Sequence, residues 1–210
     1  MKLLRSFLIA GSLVFASSST AGIYDDTFSA INTRDTGKLS ELLRLGMDVN
    51  STDTLGNSLL MLAAGNGDYA TLTLLIKNGA NVRTINRYGD SALMLSALRG
   101  HLTCVVALSD AGSEMDPAGW TPLIYASFEG HSEVVRFLLG KTVQVNAQAE
   151  NGMTALMAAS RNGHLEIVRT LLDHGADSLI STSTGVTASI LAARSGHTAI
   201  TEQLARRVIR

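Results

Sequence analysis

GMTALMAASRNGHLEIVRTLLDHGAD, residues Gly152 to Asp177, decides the fold. Thr154 stands where a helix should begin, since its hydroxyl oxygen can accept from an otherwise unpaired N–H in the first turn. Leu156, Ala159 and Ser160 then fall at i, i+3 and i+4, a face apolar and small enough for close helix approach. Gly163 ends that helix by tolerating a left-handed backbone. A second helix follows, with Ile167, Leu171 and Leu172 on its buried side, and His174-Gly175-Ala176-Asp177 closes the unit. One such pair cannot bury both of its faces, so several must stack.

Reading outward from this run, the same punctuation recurs along the chain. Gly56, Gly89, Gly119, Gly152 and Gly185 are spaced 33, 30, 33 and 33 residues apart, and Gly67, Gly100, Gly130, Gly163 and Gly196 each follow 11 residues later. Repetition at this period is the mark of a repeat array. Between the glycines stand Ser58-Leu59-Leu60-Met61, Ser91-Ala92-Leu93-Met94, Thr121-Pro122-Leu123-Ile124 and Thr187-Ala188-Ser189-Ile190. His101, His131, His164 and His197 follow the second glycine, with Asp68 in that place in the earliest case, and Asn78-Gly79-Ala80 repeats the closing marker. An N-terminal unit fits from Asp25 to Asn50, with Asp35 starting its second helix.

These markers resemble the ankyrin repeat family over residues 24–210. The resemblance implies an all-α ankyrin repeat solenoid of about six helix-turn-helix units with short β-hairpin fingers, at about 24–52, 53–85, 86–115, 116–148, 149–181 and 182–210. The family's Thr-Pro-Leu-His tetrad keeps its proline only at Pro122. Its histidine gives way to Met61, Met94, Ile124, Met157 and Ile190, so apolar packing must replace the polar ties of that histidine. The join from Gly112 to Gly119 is three residues short, which predicts a trimmed or missing finger between the third and fourth units. Arg206, Arg207 and Arg210 suit a solvent-facing C-terminal helix end.

Residues 1–21 read differently. Lys2 and Arg5, the apolar stretch Phe7 to Ala16, and the small residues Ser17 to Ala21 have the layout of a secretory signal peptide cleaved after Ala21, or at the alternative pair Ala16 and Ser18. The apolar stretch is about half the roughly 20 residues that span a bilayer, so no membrane span is expected. No cysteine lies near the junction to carry a lipid. The expected location is a bacterial periplasm, with residues 22–210 as the mature domain. Removing the leader takes two cations and leaves 15 positive residues against 18 negative, a net charge of −3. That balance gives no attraction to nucleic acid or anionic lipid. With 46% hydrophobic residues in 210 the chain should fold, and its single cysteine excludes an internal disulfide framework.

Candidates for catalysis each have a structural reading. The four histidines recur once per unit on helices about 8–10 Å apart, too far for one ion that needs nitrogens at about 2 Å. They read as structural residues at the start of the second helix. Met61, Met94 and Met157 share their column with isoleucines and read as core. Cys104 aligns with Val134, Ile167 and Ile200 and reads as a buried apolar side chain. Gly65-Asn66-Gly67 ends a helix where a phosphate loop would begin one, and Asn50-Ser51-Thr52 is a sequon by coincidence with the asparagine that closes a unit. No nucleophile elbow or paired carboxylates stand out. The chain reads as no enzyme, without cofactor or metal, and as a monomer in isolation.

Function is then expected on the concave face of turn tips and first helices that a solenoid offers to protein partners. The register places Arg87, Tyr88, Asp90, Trp120 and Met153 at the tips and Arg99, Phe128, Glu129 and Arg161 on the first helices. Aromatic and arginine side chains are the usual anchors of binding energy. Resemblance to small exported ankyrin proteins implies one protein partner, such as a secreted toxin neutralised by an immunity protein. The alternative is a redox enzyme such as catalase, supported in oxidative-stress defence.

Overall fold

The structure, a computed structural model, describes residues 15–208, with side chains from Gly22 to Arg206. The expected leader falls largely outside the described residues, as does Arg210. Among the described residues, twelve helices form six pairs: α1 (Phe15–Thr33) with α2 (Thr36–Arg44), α3 (Leu59–Gly65) with α4 (Tyr69–Lys77), α5 (Ala92–Leu98) with α6 (Leu102–Asp110), α7 (Pro122–Glu129) with α8 (Ser132–Leu139), α9 (Ala155–Arg161) with α10 (Leu165–Asp173), and α11 (Ala188–Arg194) with α12 (Thr198–Val208). The chain is an all-α repeat solenoid.

Local chemistry sets each boundary. The hydroxyl oxygens of Ser58, Ser91, Thr121 and Thr154 each accept, at 3.2 Å, from the N–H three residues on, at Met61, Met94, Ile124 and Met157. Thr187 does the same for Ile190 at 3.4 Å. Asp35 and Asp68 cap α2 and α4 with their carboxylates. The histidines that begin α6, α8 and α10 make no capping bond, because their rings reach into the neighbouring unit.

First helices pack on first helices and second on second, forming two parallel rows. The core runs between the rows as columns of equivalent residues: Leu60, Leu93, Leu123 and Leu156 from the first helices, and Cys104, Val134, Ile167 and Ile200 from the second, all buried. Met61, Met94, Ile124 and Met157 are buried too, whereas Ile190, in the last of the described units, is 38% exposed, with no further described helix pair stacked on it. Packing is not the whole of what replaces the tetrad histidine. The thioether sulfurs of Met61 and Met94 also accept from the N–H groups of Ser58 and Ser91, at 3.4 and 3.3 Å. Side-chain oxygens of Asn50, Asp116 and Asn146 accept from the N–H groups of Asn81, Gln144 and Asp177, 28–31 residues further on, and Tyr24 donates to the Thr52 carbonyl.

The bridged fingers are short hairpins, each closed by a backbone bond across the turn, as from Asp53 to Asn57 and from Asn86 to Asp90. Single antiparallel bridges, Thr52 with Ser58, Ile85 with Ser91 and Ser181 with Thr187, take the place of strands among the described residues. Side chains end the ladder early: Asp53 accepts from the N–H groups of Leu55 and Asn57, and Asn86 from those of Tyr88 and Asp90. Around residues 112–119, where the chain is three residues short, there is no bridge. α1 continues through the expected cleavage position after Ala21, and its side chains seated in the core, Thr27, Ala30 and Ile31, lie on the mature side. No described helix is long and apolar enough to cross a membrane.

Candidate protein-binding face

The short fourth finger leaves a notch in the row of turn tips. Neighbouring fingers reach past it on either side, and a cavity of about 310 Å³ opens between them, lined by Tyr88 and Asp90 from the third unit, Trp120 and Tyr125 from the fourth, and Glu150 and Asn151 from the fifth. Trp120 sits just before the cap residue Thr121, which aims the indole along α7. There it meets Tyr125, one turn into the helix, with ring centroids 5.0 Å apart, and Phe128 edge-on at 5.7 Å. The Tyr125 hydroxyl donates to Asp90 Oδ1 at 2.7 Å and so ties two units together across the notch. Burial pushes the Tyr125 hydroxyl pKa up, and the adjacent Asp90 carboxylate raises it further, so the hydroxyl stays a donor. Tyr88 stands on the rim, 73% exposed.

The nine residues expected on this face divide into groups. Tyr88, Asp90 and Trp120 converge on the notch, and Phe128 supports Trp120 from below. Arg99 and Glu129 lie at the far end of the first helices, where with Leu98 and His131 they line a shallow depression of about 400 Å³. Arg161 is exposed at the end of α9, and its carbonyl accepts from His197. Arg87 turns toward the second unit: its N–H donates to the Leu55 carbonyl, and its charge helps hold the Asp53 carboxyl down.

Met153 corrects the expectation for it. It is 8% exposed and belongs to the core. Met153 stands just before the cap residue Thr154, and its unbranched apolar side chain is drawn inward against the core. Trp120 occupies the equivalent place and is itself half-buried against the core. Tyr125 and Glu150 were not anticipated. Tyr125 had a signal, as the one ring in a column otherwise filled by Leu62, Leu95, Ala158 and Leu191. Glu150 had none, because its place beside the notch depends on the missing length of the fourth finger.

The glycine-following histidines are inter-unit ties. Nε2–H of His101, His131, His164 and His197 donates to the carbonyls of Gly65, Leu98, Phe128 and Arg161 in the preceding unit, at 3.0–3.2 Å. Cys104 is fully buried at the heart of its column, and burial pushes its thiol pKa up. Among the described residues, no group of three or more His, Cys, Asp or Glu is placed to hold a metal ion.

A search of curated proteins finds no match. A family model described as ankyrin repeats (3 copies) matches the chain at residues 28–117, 60–149 and 141–209.

Proposed function

The chain belongs to the ankyrin repeat family, whose arrays are protein–protein interaction modules, and on that footing we propose that it is a non-catalytic binding protein of the bacterial periplasm that holds one protein partner against the finger and first-helix face. The observation that carries this reading is the notch, where Trp120 meets Tyr125 and Phe128 and an exposed Tyr88 stands on the rim. Clustered aromatic side chains in a depression are the usual centre of binding energy in an interface. The partner is a toxin that the protein neutralises, which demands tight one-to-one binding. The leader-like residues 1–21 supply the route of export.

The test is to purify the mature protein from its own cell envelope and identify what co-elutes. A toxin in one-to-one complex supports the reading, whereas a peroxide-handling enzyme such as catalase replaces immunity with the accessory role in oxidative stress. Absence of any bound protein at physiological salt, or recovery of the protein from the cytoplasm, overturns it. Trp120→Ala should weaken partner binding by at least about tenfold, which corresponds to roughly 1.4 kcal/mol, with cooperative melting retained.

A further inference from the structure

The notch has a chemistry as well as a shape. Tyr88, Trp120 and Tyr125 supply ring faces, Asp90 and Glu150 supply carboxylates, and no cation is among the lining residues. The nearest arginine in sequence, Arg87, has its stem beside Gly56 of the second unit's finger and is not among the lining residues. Asp90 is held in place because its Oδ1 accepts from Tyr125, and Oδ2 makes no hydrogen bond among the described residues. Aromatic faces attract a cation through their quadrupoles, and carboxylates at the rim of a half-closed cavity add a directional partner. Covering the notch with a neutral or acidic surface would strip water from Asp90 and Glu150 without replacing it, which disfavours such partners.

We propose that the notch receives one basic side chain, arginine or lysine, displayed on a loop of the protein partner. This inference rests on the proposal that the finger face is the binding face, and it adds what that face selects. A volume of about 310 Å³ suits a single long side chain. The stem would lie along Trp120 and Tyr88, with the charged end at Asp90 and Glu150. Selectivity then comes from the trimmed finger, because a full-length fourth finger would fill the space.

Trp120 is the chain's only tryptophan, so its fluorescence reports directly on the notch. The full mature chain is titrated with a capped glycine–arginine–glycine tripeptide, its lysine counterpart, and a third peptide in which neutral citrulline replaces arginine. A saturable emission change in the millimolar range is expected for the basic peptides, with citrulline binding about tenfold weaker. The Asp90→Asn/Glu150→Gln double variant keeps the Tyr125 contact and should melt like the wild type while binding the basic peptides about tenfold more weakly. Equal response to citrulline, an unchanged double variant, or no saturable response overturns the basic-side-chain receptor. Capture of the native partner separates the two levels. If Trp120→Ala loses the partner while the double variant keeps it undiminished, the face stands and the receptor falls. If Trp120→Ala captures the partner as well as the wild type does, the face itself is wrong.

Discussion

At the scale of single residues, the glycine and histidine of adjacent units form one device. Gly100 has φ +73°, and a Cβ built on it would stand 2.5 Å from the His131 ring, whose Nε2–H holds the Leu98 carbonyl. Gly46 has φ +97° and open space around it. Gly46→Ala should therefore cost only the left-handed backbone penalty, about 1–2 kcal/mol. Gly100→Ala should cost clearly more, because it also displaces the ring; urea melts of the two variants decide this. Cys104 should resist thiol reagents in the folded protein, with labelling that tracks global unfolding across a urea series; rapid labelling in native buffer would contradict its burial. Asp53 gives the acid side. Burial would raise its carboxyl, but hydrogen bonds from Asn57 and Leu55 and the charge of Arg87 outweigh burial and leave it below its ordinary 3.8. Its contribution is thus fully present above the ordinary carboxylate range and fades as pH falls through the lowered value. Asp53→Asn should lose stability at neutral pH, and the gap from wild type should narrow in strong acid when melting is followed at both pH values.

Single elements are set by their caps and by the fingers that precede them. Thr154 is buried and its hydroxyl oxygen accepts from Met157 at 3.2 Å, so Thr154→Ala should cost about 1 kcal/mol, and Thr154→Ser should restore most of it. The fourth finger is an element defined by missing length. Inserting three residues between Ala118 and Gly119, to match the spacing of the other units, should close the notch and weaken partner binding at least about tenfold with little change in melting. An insertion that leaves binding intact would show that the trimmed finger has no part in recognition. Helix starts were legible in the sequence because a cap uses a side chain and an N–H only three residues apart. The bridged fingers stay short because Asp53, Asn86 and Thr182 accept bonds from their own turns, a competition that the repeat spacing does not show.

For the molecule as a whole, place in the stack decides what a residue is worth. Met157 and Ile190 hold the same position in their units, yet Met157 is 1% exposed and Ile190 38%. Met157→Ala should cost about 2–5 kcal/mol, as large-to-small changes in a packed core do, and Ile190→Ala under about 1 kcal/mol. Denaturant midpoints at equal slope would measure both. Such asymmetry is expected of an array in which each unit contacts only its neighbours and the last described unit is covered on one side alone.

By itself the sequence determined the period, the helix pairs, the caps, the core columns and the shortened fourth finger, because each depends on neighbours within one repeat or on counting. The grouping of the face came only with tertiary structure. Tyr88, Trp120, Tyr125 and Glu150 belong to three different units, and only stacking brings them around one cavity, while the same packing draws Met153 inward and turns Arg87 away. A residue's unit fixes its helix and its height; which side chains converge depends on how much space the adjacent finger leaves.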